Sequence, residues 1–156
     1  MRCKPLLLAL AACAVTLTAQ AADEPGSSPA TPSSSERLGN ARKALAAHDY
    51  GKAVAELRTV VRSDPRNADA HNLLDYSYRK SPSPDLKKAF EHYTTALRID
   101  PRHKGAHEYI GEAYLADRKP AEAEKHLAEL EKICGNRSCD EYADLAKSIA
   151  AYKAKN

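Results

Sequence analysis

The sequence predicts an all-α protein built from repeated helical units, and two observations carry this prediction. The first is composition: of 156 residues, 29 are alanine and one is phenylalanine, and tryptophan is absent. Alanine has the highest helix propensity but too little apolar bulk to fill a β-sandwich or barrel. The second is an internal repeat, because the dipeptides Asp64-Pro65 and Asp100-Pro101 end two similar segments 36 residues apart.

The first 21 residues have the features of a secretory signal peptide. A short basic start precedes a mostly apolar run at residues 6–17, and the small-x-small triplet at 19–21 is a typical cleavage site. A membrane-spanning helix would need about 20 apolar residues, more than this run provides. We therefore predict cleavage before Ala22 and export of the protein.

A second export route stays open at Cys13. Residues 10–13, Leu-Ala-Ala-Cys, resemble the motif at which bacterial lipoproteins are cut before a cysteine that then carries lipid. Two features oppose this interpretation, since the apolar stretch before Cys13 is very short and the hydrophobic region continues beyond it. We expect contact with a membrane only if Cys13 is lipidated.

The charge of the exported chain excludes one class of function. The formal net charge is +3, but removal of residues 1–21 takes away Arg2 and Lys4 and no acidic residue, which leaves a net charge of +1. A nearly neutral chain has no electrostatic basis for binding nucleic acid. Residues 22–34 are rich in proline and serine, and we predict a flexible leader there.

Three copies of a two-helix unit follow in residues 35–137. The first helices of the second and third copies have an apolar or aromatic stripe at positions i, i+3 and i+7, and each second helix opens with a small residue. The stripes are His71, Leu74 and Tyr78 in the second copy and His107, Ile110 and Tyr114 in the third, and the small residues are Ala53, Ala89 and Ala123.

These positions resemble the tetratricopeptide repeat, a helix-turn-helix unit of 34 residues. The resemblance is carried by Leu74, Tyr78, Ala89, Tyr93 and Pro101 in the second copy, by Ile110, Gly111, Tyr114, Ala123 and Leu127 in the third, and more weakly by Ala41, Ala53, Leu57 and Pro65 in the first. It implies a right-handed helical solenoid of about three repeats. Two departures are Asp75, which stands where glycine is usual, and two extra residues in the turn at 81–84.

Local signals predict where helices begin. Ser83 and Pro84 suggest an N-cap and a first helical residue, and Pro120 suggests the start of another helix. Ser138 and Glu141 match a capping box at the start of a seventh helix. We expect this helix, within residues 138–156, to cap the apolar end of the repeat array.

Cys134 and Cys139 remain after signal cleavage, and an even pair in an exported protein predicts a disulfide. A redox-active pair or a metal site that includes His103 is the alternative. The four intervening residues differ from the two of a thioredoxin-type motif, and two thiolates supply only half of a tetrahedral zinc site.

The histidines are the remaining candidates for chemistry. His71 and His107 occupy equivalent repeat positions, as do His92 and His126, which favours packing roles. His103 and His107 are four residues apart, but no third ligand completes a metal site. We find no nucleophile, acid–base pair or phosphate-binding loop, and we predict a non-enzymatic protein without a cofactor.

The resemblance implies binding of a peptide or protein partner in the concave groove of a small exported protein, periplasmic or secreted, from a Gram-negative bacterium. We expect a groove that is positive in the first two repeats and negative in the third, with Tyr76 as anchor. A thiol-redox or metal-handling protein and a structural spacer in an envelope assembly are the alternatives. The candidate groove residues are Arg42, Leu45, Asn72, Tyr76, Arg79, Glu108, Glu112 and Leu115.

Overall fold

The computed structural model describes residues 31–156, in which seven α-helices account for about three quarters of the residues and no strand occurs. The predicted signal peptide, Cys13 and the leader up to residue 30 lie outside the described residues. None of the helices in residues 31–156 has the length and hydropathy needed to cross a bilayer. The helices are α1 (Ser34–Ala46), α2 (Tyr50–Ser63), α3 (Ala68–Lys80), α4 (Leu86–Ile99), α5 (Lys104–Ala116), α6 (Pro120–Cys134) and α7 (Asp140–Lys153).

The helices form two layers. α1 packs on α2, α3 on α4, and α5 on α6, and the odd-numbered helices also contact one another in the order α1, α3, α5, α7. The backbones of the second helices α2, α4 and α6 stay apart, with no Cα atoms of different second helices within 8 Å of each other. An array whose helices meet in one layer and diverge in the other is curved, so the odd-numbered helices form its concave side. This architecture confirms the predicted all-α repeat solenoid.

Small residues allow the two layers to pack closely. Ala53, Ala89 and Ala123, predicted at the start of the second helices, are completely buried. Each lies in one of three apolar clusters that follow one another along the array. The helix contacts therefore depend on small side chains at repeating positions, as the composition predicts.

Two predicted helix starts are wrong. α4 begins at Leu86, because Asp85 is the N-cap and its side chain accepts a hydrogen bond from Lys88 N at 3.0 Å, which leaves Ser83 and Pro84 in the preceding loop. The capping box predicted for Ser138 and Glu141 is absent. Cys139 is the N-cap of α7, and the Ser138 hydroxyl instead donates to Asn136 Oδ1.

Other helix ends follow the sequence signals. Pro120 is the first residue of α6, and Gly135, with φ of 72°, ends this helix in the left-handed region that favours glycine. At the start of α1, Ser33 and Glu36 form a capping box that the sequence analysis did not identify.

Candidate functional site: the concave groove

An aromatic pair lies on the concave side. The rings of Tyr76 on α3 and Tyr109 on α5 have centroids 4.8 Å apart and an interplanar angle of 41°. The guanidinium carbon of Arg79 lies 5.6 Å from the centroid of Tyr76 and 5.9 Å from that of Tyr109. A cation over both faces holds the two rings in one arrangement.

Arg79 is fixed by a chain of hydrogen bonds. Its Nη2 donates to Glu112 Oε2 at 2.6 Å and its Nε donates to the Tyr93 hydroxyl at 3.2 Å. Glu112 Oε1 accepts a further bond from the Ser148 hydroxyl at 3.0 Å. The Arg79 side chain is only 9% exposed. The network therefore joins α3, α4, α5 and α7 beneath the aromatic pair.

Asp75 lies next to this network at the position where the repeat usually has glycine. It is completely buried, and its Oδ2 has no hydrogen-bond partner. Burial raises its pKa well above the usual range, although Tyr76 N, Arg79 and the Tyr93 hydroxyl act in the opposite direction. The folded protein therefore favours the protonated carboxyl group.

The part of the groove formed by α5 and α7 is acidic. Burial raises the pKa of Glu108 to about 8, and repulsion from Glu112, Asp144 and Glu141 adds to this shift. Burial also raises the pKa of the Tyr109 hydroxyl to about 12. Since Arg79 is already paired with Glu112, it offsets the remaining carboxylates only in part.

Two depressions lie along the concave side. The first, of about 330 Å³, is lined by α1, the turn after it, α3 and α5. The second, of about 390 Å³, is lined by α3, α5 and α7 and contains Arg79, Glu112 and Ser148. The aromatic pair forms one wall of the first depression, whose lining residues are Arg42, Leu45, Ala46, His48, Leu73, Tyr76 and Tyr109.

The structure brings some of the candidate groove residues together and separates others. Arg42 and Leu45 share the first depression with Tyr76, and Arg42 pairs with Asp69 at 3.0 Å. Asn72 is 6% exposed, with its Oδ1 unpaired. Leu115 is 8% exposed and belongs to an apolar cluster, but it also lines the second depression with Arg79 and Glu112.

The expected separation of charge along the groove is wrong for its central residues. Arg79 and Glu112, predicted at opposite ends, form one ion pair because consecutive first helices pack side by side. Tyr109 and Ser148 are groove residues that no pattern in the sequence indicates. The 36-residue offset between the second and third copies aligns Tyr109 with Leu73, so repeat alignment alone does not show that it meets Tyr76.

Four histidines form two matching pairs between first and second helices. His71 Nδ1 lies 3.0 Å from His92 Nδ1, and His107 Nδ1 lies 2.9 Å from His126 Nδ1. In each pair the first-helix histidine also places Nε2 next to the carbonyl oxygen of a proline, at 3.2 Å from Pro65 O in the first case. A carbonyl accepts only, so we assign the proton to Nε2 of His71, and its Nδ1 then accepts from His92 Nδ1–H.

The geometry of these pairs is that of a hydrogen bond and not of a metal chelate. For His71 and His92 the ring centroids are 5.2 Å apart and the nitrogens 3.0 Å apart. The difference between these two distances nearly equals the sum of the distances from each ring centroid to its own Nδ1. The two nitrogens therefore lie almost on the straight line that joins the ring centroids. Chelation would require both lone pairs to converge on a point beside that line. The packing role predicted for these histidines is therefore a hydrogen bond between the Nδ1 atoms of each pair.

The cysteines and His103 lie in different environments. The structure joins Cys134 and Cys139 in a disulfide, with Cα atoms 6.2 Å apart. The Glu141 carboxylate lies within 4.8 Å of both sulfurs, but bonded sulfurs are not thiolate ligands. His103 is the N-cap of α5, where Nδ1 accepts from Ala106 N and Nε2 lies 2.9 Å from Asp69 Oδ1.

The chain belongs to the tetratricopeptide repeat family, whose model matches residues 38–78 and 85–137. The gap between the two matched segments contains the longer turn that precedes α4. The comparison with curated protein sequences gave no match.

Solved structures share the fold. The TPR2B domain of yeast Sti1, in a complex with an Hsp70 peptide, is 14% identical with a TM-score of 0.69, over 79% of this chain and 98% of that one. The Sgt2 TPR domain of Aspergillus fumigatus is 22% identical with a TM-score of 0.68, over 80% of each chain. The type III secretion translocator chaperone SycD of Yersinia enterocolitica is 15% identical with a TM-score of 0.67, over 81% of this chain and 96% of that one.

Proposed function

We propose that this protein is a non-enzymatic scaffold of the bacterial cell envelope that holds a segment of a protein partner in its concave groove. The observation that carries the proposal is the Tyr76–Tyr109 pair, which is partly exposed and forms a wall of the first depression. Aromatic side chains with little freedom dominate binding energy at interfaces, because little entropy is lost when they are covered.

The network below the aromatic pair supports this function. Arg79 contacts both rings and is held by Glu112 and Tyr93, so the pair is ordered before a partner binds. Related structures include a TPR domain solved as a complex with an Hsp70 peptide, which supports a peptide or protein as the ligand.

The proposed location rests on the N-terminal sequence and on the cysteine pair. A signal peptide directs export, and a disulfide persists in the periplasm or outside the cell but not in the cytosol. N-terminal sequencing of the protein recovered from an envelope fraction should begin at Ala22. A lipid-modified start at Cys13 would indicate the anchored form, and an intact Met1 there would contradict both routes.

The test of the groove uses residues at the surface of the first depression. Ala46 is exposed and lines the depression, whereas its neighbour Ala47 is exposed and does not. We expect Ala46→Arg and Tyr76→Ala to lose the partner that mature protein recovers from an envelope extract, with Ala47→Arg as the matched control. Circular dichroism should show unchanged helix content in all three variants.

Recovery of the partner by both groove variants would contradict the concave site. Arg79 is unsuitable for this test because it holds the core network, and its replacement would change stability together with binding. Ala46→Arg adds bulk at an exposed position and avoids this ambiguity.

A further inference from the structure

A second groove lies on the outer side of the array, between α2 and α4. The backbones of these two helices are more than 8 Å apart, and Leu74 and Tyr78 of α3 form the floor between them. The groove has a volume of about 470 Å³, and its apolar residues include Val54, Val61 and Tyr78. It continues toward the turn before α4 into a depression of about 630 Å³ that shares Val54 and Tyr78.

The groove is open because a small residue stands where the next repeat has an aromatic one. Val54 occupies the position 36 residues before Phe90. In the next repeat the Phe90 ring covers Tyr114, with centroids 4.9 Å apart. No aromatic ring from α2 covers Tyr78, the counterpart of Tyr114, and Lys88 Nζ lies 5.4 Å from its centroid.

The rim of the open groove is basic. In the 470 Å³ part of the groove, Arg58, Arg62 and Lys88 lie beside one carboxylate, that of Glu91. The continuation toward the turn before α4 also has Asp49 and Asp85 in its lining. Lys88 pairs with Asp85 at 2.7 Å, and Arg62 donates to the Thr59 hydroxyl.

Like charges face each other across the groove, because Arg58 on α2 and Lys88 on α4 line its two sides. The hydrogen bond and the charge of Asp85 raise the pKa of Lys88, and Arg58 opposes this shift only weakly. In the next repeat the positions of Arg58 and Lys88 are taken by Thr94 and Glu122. The basic rim is thus specific to the open groove.

We propose that the groove between α2 and α4 binds an acidic segment of a partner protein, with an apolar side chain over Val54 and Tyr78 and carboxylates at Arg58 and Lys88. Charge complementarity selects this occupant, because an arginine fork suits a carboxylate and three cations line the 470 Å³ part of the groove beside one carboxylate. The residues proposed to hold the segment do not line the concave depressions, although the far end of the outer groove reaches His48, which also lines the first concave depression.

The dimensions of the groove set the length of the segment. α2 follows its edge from Gly51 to Arg62, a distance of about 16 Å at the helical rise of 1.5 Å per residue. An extended peptide covers this distance with about five residues. A short segment with one central apolar residue therefore fills the groove.

The experiment measures fluorescence anisotropy of a labelled acidic peptide that has one leucine flanked by aspartates and glutamates. Val54→Phe places a ring over Tyr78, as Phe90 does over Tyr114 in the next repeat. Arg58→Glu reverses the charge on one wall of the groove at an exposed position. We expect each variant to weaken binding about tenfold or more, which corresponds to about 1.4 kcal/mol. Thr94→Glu, the matched change in the filled groove, should leave the affinity within about twofold.

Several outcomes separate this site from its alternatives. Unchanged affinity in Arg58→Glu, whose fold is not at risk, overturns the proposal. Loss of peptide binding in Ala46→Arg would place the peptide in the concave groove and also overturns it. Equal binding of a peptide with lysines in place of the acidic residues, or binding of phosphatidylglycerol vesicles without binding of the peptide, contradicts the proposed partner chemistry. If the concave-groove variants still recover the partner from the envelope extract, the proposed concave site is wrong, but the result expected for the acidic peptide does not change.

Discussion

The side chain of Leu145 in α7 packs directly against the backbone of Gly111 in α5. A Cβ atom at Gly111 would lie 2.6 Å and 2.7 Å from the two methyl carbons of Leu145. No side chain larger than hydrogen fits between the two helices at this point. The glycine of the repeat pattern therefore decides how the last helix covers the end of the array.

Replacement of Gly111 by alanine should destabilise the protein. The usual gain from alanine in a helix is below about 1 kcal/mol, whereas overpacking of a fitted contact costs about 1–3 kcal/mol. We expect a net loss of stability in urea denaturation, together with faster hydrogen exchange in α7.

Gly39 in α1 provides the matched control, because nothing lies within 4 Å of a Cβ built there. Gly39→Ala should be neutral or should stabilise the protein by up to about 1 kcal/mol. Equal effects at Gly39 and Gly111 would show that helix propensity alone decides both results.

The Arg79–Glu112 pair should be strongly coupled in stability. Removal of one partner leaves a largely buried charge without compensation, which typically costs about 3–5 kcal/mol. We expect Arg79→Met and Glu112→Leu each to lower the free energy of unfolding strongly, and the double variant Arg79→Met, Glu112→Leu to recover part of that loss. A double-mutant cycle in urea that gives additive effects would contradict a coupled pair.

These interactions mark the limit of what the sequence predicts. The small residues at Ala53, Ala89 and Ala123 identify the repeat because each occupies the same local environment in every copy. Arg79 has no counterpart in the other copies, where Lys43 and Leu115 occupy the equivalent positions, and its contacts join two neighbouring repeats whose register depends on packing. The N-cap of α4 is Asp85 instead of the predicted Ser83 for a similar reason. Asp85 N donates to Tyr78 O, and this contact depends on the conformation of the longer turn.

The histidine pairs should make the protein less stable in acid. Burial and repulsion from His107 lower the pKa of His126 to about 4, against about 6.5 in the unfolded chain. The stabilisation is complete above pH 6.5 and is lost as the pH falls toward 4, because the unfolded state then binds more protons.

After allowance for solvent screening of this partly exposed ring, the effect on the free energy of unfolding is about 1–2 kcal/mol. His126→Gln should therefore reduce the loss of stability between pH 7 and pH 4.5, as followed by urea denaturation. His48→Gln changes an exposed histidine outside the pairs and is the control. An unchanged pH dependence in His126→Gln would argue against the pair as its source.

Glu108 should have the opposite effect on the pH dependence. Its folded-state pKa of about 8 lies above the ordinary value of 4.5, so folding favours the protonated carboxyl group. Stability from this group is therefore present below pH 4.5 and is lost as the pH rises toward 8.

We expect Glu108→Gln to stabilise the protein at pH 8.5 by about 1–2 kcal/mol, a value reduced for partial exposure, and to have little effect at pH 4. Thermal melting at the two pH values distinguishes this result from a general effect of the amide. Equal shifts at both pH values would contradict a raised pKa.

The Cys134–Cys139 disulfide should act as a local clamp between α6 and α7. It closes a small ring, for which chain entropy gives about 2 kcal/mol of stabilisation, and it holds the turn that directs α7 back onto α5 and α6.

We expect the mature protein to resist thiol alkylation until it is reduced. The double variant Cys134→Ser, Cys139→Ser should melt at a lower temperature and yet recover the same partner, since neither residue lines a concave depression. Stoichiometric zinc in the purified protein, or rapid cycling of the pair in a thiol buffer, would contradict a structural bond and would favour the redox or metal-handling alternative.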